Sequence, residues 1–217
     1  MSDEMQIVPN TEIATSHPAH TLSQVGDKNV QVAHADNVVA NTNNIFLVNG
    51  GANAVGAQEE AISQFKNYLA TKSTEFYNLF VINGETFDNG RFFVPPTRAL
   101  TDDIDPALRQ ELAELSDDAI TRIKTFPSLF MGETDWANPD QIAHYGFVTG
   151  VTVQKNAIRI TFQKLNPLPQ HRLNDMLREL GIRGWSKMNE FTHTHWTVKH
   201  VNLLDELRIA GLPVFGI

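Results

Sequence analysis

The sequence contains no cysteine. This absence excludes disulfide bonds, thiolate zinc sites, iron–sulfur clusters and cysteine nucleophiles, so a bound metal would need histidine and carboxylate ligands. The chain also lacks any run of the roughly 18 to 20 apolar residues that a helix needs to cross a bilayer. Its first residues are acidic, whereas a secretory signal starts with basic and then apolar residues. These absences predict a cytoplasmic protein without a membrane span.

Complete catalytic motifs are also missing. The chain has no Gly-x-Ser-x-Gly nucleophile elbow. The glycines that follow "NIFLVN" lack the lysine and hydroxyl of a phosphate-binding loop. Chemistry by paired carboxylates stays open, because two acids can meet from anywhere in a fold. The sequence therefore favours a protein that binds rather than catalyses, and we predict no cofactor.

Basic side chains are scarce in the first part of the chain, where residues 1–60 hold one basic and seven acidic side chains. Residues 61–140 hold seven and thirteen, whereas residues 141–217 hold nine basic and five acidic side chains. The last third also carries five of the eight histidines, although the net charge of the chain is −8. Because the local field steers a charged partner, we predict that an anionic ligand binds in this last third.

The apolar residues that the chain does contain are sufficient for a core, since 41% of its 217 residues are hydrophobic. Capping residues at Asp105, Ser116 and Asn202 predict three helix starts. A further amphipathic helix is predicted within residues 167–181, with Gly181 just past its end. The apolar stripe of this helix is Leu173, Met176, Leu177 and Leu180.

Strand patterns complete the predicted fold. Asn83-Gly84 and Asn89-Gly90 are typical of tight turns and predict a hairpin. Apolar and polar residues alternate on both sides of Lys155-Asn156, which predicts a long antiparallel hairpin. We therefore predict an α+β fold of antiparallel β hairpins and about four to five amphipathic helices, with an N-terminal β-rich appendage. The core residues expected from the long hairpin are Val151, Val153, Ile158, Ile160 and Phe162.

The same patterns predict a domain organisation. Residues 1–21 are polar and aperiodic, which indicates a flexible tail. Residues 22–56 form a β segment that serves as a connector or an oligomerisation element. Residues 57–217 form the α+β domain, in which we expect a sub-boundary near residues 127–140 and a basic C-terminal module over residues 141–217.

The β segment has a repeated texture. Asn followed by Val or Ile recurs at Asn29, Asn37 and Asn44, which predicts three short strands. The stretch from "QVGDKNVQV" to "NNI", within residues 22–49, resembles the Asn/Gly-rich β segments that precede functional modules in bacterial conflict and anti-phage proteins. The resemblance implies an adaptor that binds a protein partner, or a second copy of itself, through these residues.

The densest cluster of histidines is in "FTHTHWTVKH", residues 191–200. A strand over this stretch places His193, His195, Thr197 and Lys199 on one face and Trp196 on the other. The first face can bind phosphate, and we predict that it is a solvated ligand surface for a nucleotide or nucleic acid. Further side chains expected near it are Arg159, Arg183, Lys155 and Glu190.

Two other readings of His193 and His195 stay open. As a His-x-His pair they would hold a metal with a third ligand such as His144, His200 or Asp140. The triplet "HWT" also resembles half of the paired motif of two-histidine phosphoesterases. Both readings imply a metal-dependent or histidine-based hydrolase or nuclease. A purely structural reading has the histidines hydrogen-bonded in a packed strand while Trp185 and Trp196 fill the core.

Overall fold

The structure is a computed structural model that describes residues 38–41, 44–47, 63, 66–101, 104–212 and 214. Strands β1 (Val38–Asn41) and β2 (Asn44–Leu47) pair antiparallel and form a two-stranded sheet. They confirm two of the three strands predicted from the asparagine repeat. The strand expected after Asn29 and the tail at residues 1–21 lie outside the described residues.

The main body is built on one six-stranded sheet, and the α+β class is confirmed. Its strands lie in the order β10-β3-β5-β6-β7-β4, in which β3 and β5 are parallel and the other neighbours are antiparallel. A separate hairpin is made of the two-residue strands β8 and β9. The strands are β3 (Tyr77–Val81), β4 (Arg91–Val94), β5 (Pro127–Met131), β6 (Ile142–Val153), β7 (Ile158–Pro169), β8 (Gly184–Trp185), β9 (Met188–Asn189) and β10 (His195–Lys199).

The predicted long hairpin is confirmed as β6 and β7. Four of its five expected core residues are buried, but Val153, which pairs with Ile158 beside the turn, is exposed. Gly146 on β6 has no room for a side chain, since a Cβ atom there would lie 2.0 Å from the carbonyl oxygen of Gln163. The sub-boundary expected near residues 127–140 falls on β5 in the middle of the sheet, and strands from both sides of it pair with each other.

The hairpin predicted around Asn83-Gly84 is wrong. Its two strands, β3 and β4, lie in different parts of the sheet, and β4 is an edge strand paired with β7. The turn residues reverse the chain locally, but Phe87 and Phe92 pack edge-to-face and both contact Phe130 in the core. Burial of these rings places β4 beside β7 rather than beside β3.

The helices start where the capping residues predict. Asp105, Ser116 and Asn202 each accept hydrogen bonds from the first turn of α1 (Pro106–Leu112), α2 (Asp117–Ile123) and α4 (Leu203–Ile209). The helix predicted within residues 167–181 is shorter than expected: α3 spans Gln170–Asn174, and hydrogen-bonded turns follow as far as Gly181, with φ +66°. Residues 66–70 are also helical. Within the described part of the chain, no helix combines the length and apolar character needed to cross a membrane.

Apolar side chains cover both faces of the central strands and form two cores. The first core lies under α1 and α2 and is centred on Phe80, Phe130 and Trp196. The second core lies under α3, α4 and the turns between Asn174 and Gly181, and it includes Leu79, Val81, Tyr145 and Phe147. Because both faces of these central strands are covered, their consecutive residues are buried alternately in one core and in the other.

Candidate functional site

The histidine stretch ends in the edge strand β10, which pairs with β3 so that Trp196 lies opposite Phe80. All five residues of β10 are buried. The prediction of a solvated face is therefore wrong for His195, Thr197 and Lys199. The expected alternation does hold, since Trp196 points into the first core and is 0% exposed.

The second core explains why this polar face is covered. His195 lies opposite Val81, and Thr197 lies opposite Leu79, on the side of the sheet where α3 and α4 pack. The sequence showed which residues share a face but not that helices from the C-terminal third would cover it. The ligand-binding role of these side chains stays a prediction, and it would require an anion to reach a strand that is buried along its whole length.

Lys199 has a buried partner in this core. Its Nζ atom lies 2.5 Å from Oε2 of Glu190, a residue that the sequence also placed near the histidine stretch. Asn189 positions Glu190 by capping the 3-10 turn in which Glu190 lies. The Tyr77 hydroxyl donates a 2.7 Å hydrogen bond to the Leu180 carbonyl oxygen, and burial, with the Glu190 charge, raises the pKa of Tyr77. These groups have acid–base chemistry, but their burial indicates a structural role.

His193 and His195 lie together, with 4.8 Å between their ring centroids and an angle of 26° between their planes. His193 is exposed, and its carbonyl oxygen lies 2.9 Å from Nδ1 of the buried His195. The ligands predicted to complete a metal site lie elsewhere: His144 is on β6, and His200 stacks on Phe76. Among the described residues no three histidine, aspartate or glutamate side chains are grouped so that they could hold a metal ion.

The tight hairpin of β8 and β9 precedes the histidine stretch. It shows that the prediction of a core position for Trp185 is wrong. Gly184 has φ +95°, and a Cβ atom there would lie 2.1 Å from the carbonyl oxygen of Met188, so this position requires glycine. Trp185 lies directly opposite Met188 across the hairpin, and both side chains are 73% exposed. Trp185 therefore does not fill the core, because the hairpin holds its side chain out in solvent.

Of the two arginines predicted near the histidines, only one lies close to them in the fold. The backbone of Arg183 is close, since its carbonyl oxygen accepts a 3.2 Å hydrogen bond from the Glu190 N–H, but its side chain is exposed. Arg159 lies on β7, and β3, β5 and β6 separate that strand from β10. At about 4.8 Å for each strand, this separation is about 19 Å. The structure therefore does not bring Arg159 to the histidine stretch.

Arg159 belongs instead to a sheet surface that no helix of the described chain covers. The outer part of β6, β7 and β4 contributes inward residues to the first core but none to the second. Strand pairing places Arg159 opposite both Phe93 and Thr152, and Arg91 opposite Thr161. We call these five residues the open face. Phe93 is 51% exposed, and Arg91, Thr152 and Thr161 are also exposed.

The open face is electropositive. The strands β4, β6 and β7 contain no aspartate or glutamate, and the turn between β6 and β7 adds Lys155. The Nη2 atom of Arg159 donates a 3.2 Å hydrogen bond to Oγ1 of Thr152, which orients the guanidinium group. Neither Arg91 nor Arg159 forms an ion pair with any residue whose position is described. Within the described part of the chain, the two arginines are thus not neutralised by an ion pair.

Sequence reasoning missed Arg91 and Phe93. A signal for them was present, because "RFFV" alternates and must place one phenylalanine outward when the other is buried. The pairing of β4 with β7 is what joins them to Arg159, and that pairing could not be read from the local pattern. The sequence thus identified Arg159 but assigned it to the wrong group of neighbours.

Of the two polar groups, the ion pair of Lys199 and Glu190 is buried, whereas the open face is positively charged and exposed, apart from Arg159, which is half-buried. On the open face, cationic side chains, hydroxyl groups and an exposed aromatic ring lie on neighbouring strands of one sheet. The chain matches no protein-family model, no curated protein and no solved structure among those with which it was compared.

Proposed function

We propose that this protein is a non-enzymatic binding protein that recognises an anionic, phosphate-bearing partner through the open face. The observation that supports this function is the pair of arginines, Arg91 and Arg159, on a sheet surface that none of the described helices covers and that is built from strands without carboxylates. A guanidinium group offers several N–H donors in a planar fork that matches phosphate oxygens. The hydroxyl groups of Thr152 and Thr161 add donors beside them.

The wider role that we propose is that of a cytoplasmic adaptor in a bacterial conflict or anti-phage system. It is supported by the resemblance of residues 22–49 to the β segments of such proteins. It is also supported by the size of the sheet formed by β1 and β2, because an isolated two-stranded sheet is marginally stable in water. A protein partner or a second copy that adds strands to this sheet would stabilise it.

A hydrolase or nuclease that uses His193 and His195 is not supported by the geometry. A catalytic group must reach the atom on which it acts, and the ring of His195 is buried against the second core. The described residues also offer these two histidines no grouped third ligand for a metal. A binding function at the open face is therefore better supported, because a ligand can reach that face from solvent.

The proposed function is tested by titrating the full chain with inorganic polyphosphate in a calorimeter. We expect binding at about 50 mM salt that weakens strongly by about 200 mM, because phosphate binding releases counterions. Arg91→Ala and Arg159→Ala should each weaken it. The matched control is Arg122→Ala, which removes an exposed arginine from α2 on the other side of the sheet. Absence of binding, or equal effects of all three variants, would contradict the proposal.

A further inference from the structure

Phe93 is an exposed aromatic residue that lies beside two arginines of the open face. Its neighbour Phe92 is buried and packs edge-to-face on Phe80, so the alternation of β4 turns Phe93 to the opposite face. Single exposed apolar residues are common and carry no meaning by themselves. What distinguishes Phe93 is that Arg159 lies directly opposite it and Arg91 lies two residues away on the same face.

These positions place positive charge on two sides of the ring. Residues directly opposite each other on neighbouring strands have Cβ atoms about 5 Å apart, and residues two apart in a strand are separated by about 7 Å. Exposed Trp136 offers a contrast within the same chain, because its neighbour in sequence is Asp135 and the same loop after β5 also carries Asp140. The ring of Phe93 is therefore placed for a ligand that has both flat apolar groups and phosphates, whereas the ring of Trp136 is not.

Single-stranded nucleic acid has these two features together. Its unpaired bases offer a free face that stacks on an aromatic side chain, and its backbone carries one phosphate for each nucleotide. The bases of a duplex are stacked on each other and offer no face to a ring on a sheet surface. Inorganic polyphosphate has the charge but no base. The exposed ring thus adds a preference for ligands with unpaired bases, which the arginines alone do not give.

We infer that the open face binds single-stranded nucleic acid, with Phe93 stacked on an unpaired base and with Arg91 and Arg159 holding phosphates beside it. This inference rests on the proposed function and adds the class of partner to it. The threonine hydroxyls of the open face donate to or accept from the sugar and base edges in this arrangement. Binding is tolerant of sequence, because every base has a face that can stack.

The test is fluorescence anisotropy of the full chain with labelled oligothymidine of about 12 nucleotides, a length within the range that such surfaces cover. The central variant is Phe93→Leu, which removes the ring but keeps an apolar side chain. Its conservative partner is Phe93→Tyr, and its matched control is Trp136→Leu, which removes an exposed ring near carboxylates. Each protein is also titrated with inorganic polyphosphate and with a duplex of equal length. Chemical unfolding checks that all variants remain folded.

We expect Phe93→Leu to weaken oligothymidine binding by about fivefold to a hundredfold, the range given by loss of one stacked base. Its binding of polyphosphate should not change, and Phe93→Tyr and Trp136→Leu should bind oligothymidine as the wild type does. If polyphosphate binds in an arginine-dependent way but Phe93→Leu leaves oligothymidine binding unchanged, or the duplex binds as tightly, the inference is wrong and the proposed function stands. If neither polyphosphate nor oligothymidine binds, both are wrong.

Discussion

Lys199 and Glu190 form an ion pair inside the second core, with 2.5 Å between Nζ and Oε2 and with both side chains 4% exposed. Removing two charges from water costs several kcal/mol for each ion, and their mutual attraction offsets this cost only when both are present. The pair therefore ties β10 to the 3-10 turn that precedes it. Loss of one partner leaves an uncompensated charge in an apolar environment.

We expect Lys199→Met to lower the free energy of unfolding by about 3 to 5 kcal/mol, the cost of breaking a buried pair. The double variant Lys199→Met with Glu190→Leu should recover most of this loss, because it removes both charges and fills the space with apolar groups. Urea unfolding followed by circular dichroism measures both values. A single variant that costs less than about 1 kcal/mol would show that the pair is solvated.

The two tryptophans of the C-terminal third should differ sharply in their contribution to stability. Trp196 stacks on Phe80 with 5.3 Å between ring centroids, and its Nε1 atom donates a 3.3 Å hydrogen bond to Oδ1 of Asn78. We expect Trp196→Ala to cost about 3 to 5 kcal/mol through the cavity that it leaves. Trp185→Ala should change stability by less than about 0.5 kcal/mol, because this side chain is in solvent. Similar costs for both would contradict the placement of β8 and β9.

His144 should make stability depend on pH. Burial and, to a smaller extent, the Lys164 ammonium group together lower the pKa of His144 from its ordinary value of 6.5 to about 4, although the Asp88 carboxylate acts in the opposite direction. As pH falls from 6.5 toward 4, the unfolded chain takes up a proton that the folded chain does not, so stability is lost over this window. His144→Gln should lose less stability over the same window in urea unfolding. Parallel pH profiles for the two proteins would refute the shift.

The strands β1 and β2 lie within the segment proposed to mediate self-association or partner binding. We expect light scattering to give a mass above that of the monomer, or a protein partner to co-purify. Deletion of residues 22–49 should abolish either behaviour, while the six-stranded sheet keeps its unfolding transition. A monomer without a partner, unchanged by the deletion, would remove the basis of this part of the proposal.

Local chemistry made much of the fold predictable from sequence. The side chains of Asp105 and Ser116 cap helices through bonds to residues two or three positions away, so the sequence nearby contains all the information. The same is true of the β6–β7 hairpin, whose strands are adjacent in the chain. The short α3 was harder to foresee, because Asn174 and Asp175 hydrogen-bond readily outside helices and oppose the apolar stripe.

The candidate site depended on information that is not local. Alternation in β10 separates Trp196 from His195, but it does not say that helices cover both sides of the strand. The open face required β4 to pair with β7, which brings Phe93 beside Arg159 from more than sixty positions away in the chain. Pairing of this kind is decided by the total burial of side chains that are distant in the chain. The sequence therefore identified a residue of the site, Arg159, but not the residues that lie beside it.

If Arg91 and Arg159 on the open face contact phosphates, as we propose, the dependence of binding affinity on salt concentration must report these contacts. Each phosphate contact with a single strand contributes about −0.7 to the slope of log affinity against log salt concentration. We expect Arg91→Ala and Arg159→Ala each to make the slope for oligothymidine shallower by about this amount, and the double variant by about twice as much. Arg122→Ala should leave the slope unchanged. An unchanged slope in the double variant, or an equal change in Arg122→Ala, would show that these two arginines do not contact phosphates.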